Sequence, residues 1–248
     1  MRPHAQTYAQ LAAQAEAAGL DTRRLARLRR AHDLAQAMAD GMYRAHGAPF
    51  LCHLVRTASI LVAEGQPQPV IEAGLLHAAY LLHEFEGSRR TGRRASLRRR
   101  LVAGVGPEVE ALVRAYEGLR WRTAEEGRAL LEAVSDASAI TRGALAIALA
   151  NELEDHLDGA LRYGGRSLSP AARAERAQLC AALAEALGMP GLAAELAEAC
   201  GPEAGPAAPE LRTGRDVGYE LPRRASWRAG RLELWLRPWL RRLRRGRP

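Results

Sequence analysis

The chain has 248 residues, 48% of them apolar, and a net charge of +8 from 36 basic and 28 acidic residues. That much apolar material supplies a real core, so disorder as the dominant state is excluded. No apolar stretch approaches the roughly 18 residues of a membrane span, and Met1-Arg2-Pro3-His4-Ala5-Gln6 lacks a signal-peptide core, so a cytoplasmic chain is expected.

Phe, Val and Ile are scarce beside Ala, Leu and Arg, which predicts an all-α fold. Leu25, Leu28, Ala31, Ala35, Met38 and Met42 recur at three and four, the buried stripe of a helix from Leu25 to about Tyr43. It ends in a turn-rich passage, Gly41 to Pro49. A second helix is expected over Phe50 to Ala63, stopped by Gly65-Gln66-Pro67. A third runs from Val70 to about Phe85 and is apolar nearly all round, as a central buried element would be. Seven arginines between Arg89 and Arg100 read as a loop entering a short helix, either solvated surface or an anion site. Helices follow over Glu108 to about Leu119 and roughly Ala139 to Leu161. Two more cover Pro170 to Leu187, with Gly188 as a stop, and Leu192 to Ala199. Cys52, Cys180 and Cys200 are an odd count without CxxC spacing, so neither a disulfide framework nor a thiolate zinc site is indicated.

Residues 1–200 are therefore read as one helical domain, residues 201–230 as a Pro/Gly/Arg-rich linker and residues 231–248 as an amphipathic tail. The positive charge belongs to the end of the chain. Residues 211–248 hold 12 arginines against Asp216, Glu220 and Glu233, while the first 210 hold 24 arginines against 25 acids. A domain that is nearly neutral is a poor match for nucleic acid, and no specific nucleic-acid partner is expected. In the tail, Leu232, Trp235, Leu236, Trp239 and Leu240 share one face and arginines such as Arg241 and Arg242 the other. Such a face suits an anionic membrane surface, each basic residue there contributing roughly 1 kcal/mol, or the groove of a protein partner. Pro238 breaks the helix, so two short segments are expected.

Four landmarks in chain order carry a resemblance. The first is Gly41-Met42-Tyr43-Arg44-Ala45-His46-Gly47-Ala48-Pro49-Phe50 with His53 three residues on. Ala73-Gly74-Leu75-Leu76-His77 comes next, then the passage Leu101 to Val113, then Leu149-Ala150-Asn151-Glu152-Leu153. Together they resemble the hydrolase domain of the RelA/SpoT alarmone synthetase/hydrolases, a branch of the HD superfamily of metal-dependent phosphohydrolases. The resemblance implies an HD-domain-like helical bundle, with His53 and His77 at the two metal-binding histidines and Asn151 at a late aspartate. It also implies a pocket for a guanine nucleotide or other phosphorylated small molecule, shaped by Tyr43, Arg44 and Phe50, the arginine lying against the base. The helical domain leaves about 40 residues of linker and tail, so a synthetase domain is not expected.

The acidic partners are missing. Ala78 stands where the family has the aspartate after the second histidine, and Leu81 and Leu82 replace the pair that positions the attacking water. Two neutral imidazoles and an amide leave roughly two positive charges of a divalent ion uncompensated, at a cost of several kcal/mol in a buried pocket. Leucine accepts no proton, so a general base is lost as well. A degenerate site with no cofactor is the leading expectation, and a nucleotide- or phosphate-binding regulatory role follows from it. One alternative is a rewired site in which Asp155 or Asp158 completes a Mn2+ or Fe2+ shell. Another is a helical scaffold held at a membrane or partner by its tail, cytoplasmic with peripheral attachment. His83 and Glu84 are expected to cap a helix or face solvent. For His53 and His77 a second role is open, a plain hydrogen bond between them in the core.

Overall fold

The computed structural model describes residues 2–44, 47–85, 91–119, 121, 123–159 and 170–199. The linker, the tail with Trp235, Trp239, Leu240, Arg241 and Arg242, and Cys200 lie outside the described residues. Among these the fold is all-helical: α1 (Tyr8–Ala17), α2 (Thr22–Ala39), α3 (Phe50–Ala63), α4 (Gln68–Leu76), α5 (Ala79–Phe85), α6 (Thr91–Val105), α7 (Pro107–Gly118), α8 (Ala124–Ala133), α9 (Ala139–Leu157), α10 (Pro170–Ala186) and α11 (Pro190–Ala199). None of the described helices is long and apolar enough to cross a membrane.

Local chemistry starts most of these helices. Thr7 and Thr123 each form a capping box, with Gln10 and Glu126, and Asp21 and Ser138 accept from the third amide of α2 and α9. Pro49 and Pro67 stand just before α3 and α4, where the missing amide is no loss.

At the centre, α4 is buried along its length and packs against α2, α3, α7 and α9. Glycines let it approach its neighbours. A Cβ at Gly74 would stand 2.6 Å from Leu61 Cδ1 and 3.5 Å from the Ala58 backbone, and one at Gly143 of α9 would meet Leu112 at 2.6 Å and Val70 at 3.1 Å. Around these contacts Leu54, Ile60, Leu61, Leu75, Leu76, Leu145, Ile147 and Leu149 are fully buried, each such side chain contributing roughly 1.5–3 kcal/mol by leaving water. Cys180 is buried in the same core and Cys52 is half-buried.

The helix expected from Val70 to Phe85 is two helices, broken at His77-Ala78. There the His77 imidazole hydrogen-bonds the Gly74 carbonyl at 2.8 Å, satisfying an acceptor that the end of α4 would otherwise leave orphaned. Apolar content alone hides such a break. The arginine-rich segment also differs from its reading, because α6 is a full helix of 15 residues, and α9 stops at Leu157, four residues short of the expected end.

Candidate functional site

The turn between α2 and α3 decides which side chains enter the site. Tyr43 pairs with Pro49 in an isolated bridge, Arg44 N–H donates to Ala48 O at 2.8 Å, and Phe50 N–H donates to Met42 O at 2.9 Å. Gly47 closes the turn at φ +96°, a left-handed conformation open to glycine. In this extended backbone neighbouring side chains point to opposite sides. Tyr43 is 49% exposed, while Arg44 is 2% exposed and runs inward. Phe50 turns into the core with its ring 5.2 Å from that of His53. Of the three residues expected to shape one nucleotide pocket, Arg44 and Phe50 both meet His53 inside the fold while Tyr43 faces outward.

Instead, Arg44 reaches the last turns of α9. Its Nη1 donates to Glu154 Oε2 at 2.6 Å and meets His53 Nδ1 at 2.7 Å, while Nη2 donates to Asp155 Oδ1. Asp158 lies 3.6 Å from the same guanidinium, and Arg56 of α3 contacts Glu154 at 3.3 Å and Asp158 at 3.6 Å. Two guanidinium groups therefore face three carboxylates. Burial, helped by Asp158, nevertheless raises the Glu154 carboxyl above its ordinary value despite Arg44 and Arg56.

The second histidine, His77, sits on the far side of His53. His53 Nε2 and His77 Nε2 are 3.1 Å apart, and the ring of Tyr116 packs edge-on to His77 at 5.0 Å. Burial, with neighbouring Arg44 for His53 and His53 for His77, pulls both imidazoles down to about 3, so both are neutral at physiological pH. The Gly74 carbonyl only accepts, which assigns a proton to His77 Nδ1 and leaves its Nε2 bare. His53 Nε2 then donates to it, and His53 Nδ1 is an acceptor for Arg44.

His53, Glu154 and Asp155 bring ligand atoms within 4.8 Å of one another, close enough to hold a metal ion, and all three are buried. Each of the three already bonds Arg44. His77 is not part of that group. The two Nε2 atoms face each other, with the His77 ring braced through Nδ1–H by the Gly74 carbonyl and the His53 ring held at Nδ1 by Arg44. What that face lacks is anionic oxygen. Ala78 is buried and carries no donor, and the Asn151 amide turns to Asp155 Oδ2 at 3.4 Å. Leu82 is in the core and Leu81 is 42% exposed. Among the described residues the Nε2 face of the imidazole pair has no carboxylate, and the carboxylates beside His53 Nδ1 already bond an arginine. The side chains of His83 and Glu84 lie outside those described.

Residues 34–120 match a family model described as a domain of unknown function, DUF6817. No curated protein matches the chain. A solved structure of a metazoan orthologue of SpoT, described as hydrolysing ppGpp and playing a role in starvation responses, aligns at 20% identity and a TM-score of 0.46, over 70% of this chain and 93% of that one.

One side chain of the cluster escaped the sequence reading: Arg56 carries no motif, whereas the helical spacing of Asn151, Glu154 or Asp155, and Asp158 already put acids on one face. Helices α1 and α8 were also missed, although Thr7-x-x-Gln10 and Thr123-x-x-Glu126 are capping-box patterns that could have found them.

Proposed function

We propose that this chain is an HD-like helical protein that has given up metal-dependent hydrolysis and acts as a nucleotide- or phosphate-binding regulatory or accessory protein. Its landmarks support the HD-like reading: His53 on α3, His77 at the α4–α5 break and Asn151 on α9 fall around one buried centre where α3, α4, α7 and α9 meet. The observation that carries the loss of hydrolysis is Arg44. Its guanidinium satisfies His53, Glu154 and Asp155 together, so the charge a metal would supply to those carboxylates comes from the chain itself. Neutral histidines bonded to each other and leucines at 81 and 82 leave no base among the described side chains on that Nε2 face to activate water.

Metal analysis of protein purified without chelators, with ppGpp turnover assayed in Mn2+, tests this. The expected result is metal well below one ion per chain and no turnover, both unchanged by His77→Ala. Near-stoichiometric Mn or Fe that disappears in His77→Ala, with manganese-dependent turnover, overturns it. The facing Nε2 atoms favour one second reading, a phosphohydrolase with rewired ligands. That reading requires Asp155→Ala or Asp158→Ala to abolish turnover.

A further inference from the structure

A cavity of about 660 Å³ opens on another face of the molecule, between α2, α4 and the turn joining α6 to α7. Its volume lies within the roughly 300–1,000 Å³ of small-molecule sites. One wall is a stripe of arginines. Arg23, Arg27 and Arg30 stand four and three residues apart on α2, one above another on a single helix face, and all three line the cavity. The middle one is held rigidly. Arg27 Nε and Nη2 donate to the two oxygens of Glu72 at 3.0 Å each, and Glu72, buried on α4, also accepts from Gln68 at 2.7 Å. Arg23 and Arg30 are exposed on either side of it.

Opposite the stripe, the chain turns at Gly106, φ +94°, and an added Cβ there would meet nothing within 4 Å, so the turn faces open space. No side chain caps the start of α7; Pro107 has no N–H and the Gly106 N–H donates to Val102 O at 2.9 Å, so the donors left on that wall, across the cavity from the guanidinium groups, are the Glu108 and Val109 amides. Glu108 stands on the same rim and acts electrostatically on Arg27. With Glu72 committed to Arg27, the remaining balance on the lining is two exposed arginines and a helix start against one exposed carboxylate.

We infer that this cavity binds a phosphorylated small molecule of nucleotide size, its phosphates held between Arg23 and Arg30 and the start of α7, with Glu108 as the counter-ion they displace. Guanidinium forks match phosphate oxygens in pairs, and a polar cavity with donors on two walls favours an anion over an apolar guest. The inference goes beyond the preceding proposal. It uses none of the residues around His53 and no metal.

The test is calorimetric titration of the full chain with inorganic pyrophosphate, GDP and guanosine in metal-free buffer. Pyrophosphate and GDP should bind and guanosine should not. Arg23→Ala/Arg30→Ala should weaken binding roughly tenfold or more. Glu108→Gln should strengthen it by about threefold, because it removes a competing charge without touching a donor. Unchanged affinity in the double arginine variant would show that Arg23 and Arg30 do not hold the anion and overturn the assignment. Weaker binding in Glu108→Gln, or no binding of either phosphate, would overturn it too. Manganese-dependent turnover would sink the preceding proposal and leave this one standing.

Discussion

Arginine appears in two settings in this molecule, and they differ in what the cation is free to do. Arg44 is buried and meets His53, Glu154 and Asp155 at once, so its charge is consumed inside the fold. Arg23 and Arg30 lie on the rim of an open cavity. Arg27 is between the extremes, 40% exposed but locked to buried Glu72. The same side chain thus serves as an internal counter-ion where water is excluded and as a ligand donor where it is not. Burial of the partner carboxylates decides which.

Substituting along that series should grade the effect. Arg44→Ala leaves Glu154 and Asp155 buried without their shared cation and should cost about 3–5 kcal/mol in urea denaturation. Added Mn2+ or Zn2+ should restore part of this loss by occupying the vacated place between His53, Glu154 and Asp155, while the unaltered protein gains nothing. Equal stabilisation of both proteins would show that Arg44 does not hold the cation's place. Arg27→Ala should cost about 1–2 kcal/mol, since Glu72 keeps Gln68 but loses a two-pronged charged partner.

A fourth buried carboxylate, Glu152, tests the idea by pH. Burial alone would raise Glu152, but the fork from Arg176, at 2.6 Å on both oxygens, and His156 pull it down to about 2. Its folded value lies below its unfolded one, so its contribution, on the order of 2 kcal/mol, is full above about pH 5 and lost as pH falls toward 2. Glu152→Gln should flatten the acid limb of the stability profile between pH 5 and pH 2. An identical limb would mean that the pair contributes nothing.

At the exposed end of the series, Arg30→Ala should change stability by less than about 0.5 kcal/mol while weakening pyrophosphate binding. A large stability loss there would erase the contrast with Arg44. The tail lies outside the described residues, and flotation separates its two readings, an anionic membrane surface or a protein partner: the membrane reading requires full-length protein to float with anionic liposomes and a chain ending at Glu210 not to, each basic residue being worth roughly 1 kcal/mol near such a surface. Equal flotation of both would remove the tail from consideration.

Much of the fold was legible because helix periodicity is local. The stripe Leu28, Ala31, Ala35 and Met38 is buried on α2, and α3 spans Phe50 to Ala63 as expected from its apolar run between Pro49 and Gly65. Where the signal is a side-chain bond rather than a pattern, the reading slipped. Nothing in Ala73 to Phe85 announces that His77 will bond Gly74 and divide the helix.

The candidate site divides the same way. Residue types alone show that Ala78, Leu81 and Leu82 offer no carboxylate, because no conformation gives them a charge. The destination of Arg44 could not be read, since its partners Glu154 and Asp155 are 110 and 111 residues away. Only the packing of α9 against α3 brings a turn and a distant helix end together. Low dielectric there makes the pairing of buried charges compulsory, and local sequence does not say which charges will share a burial.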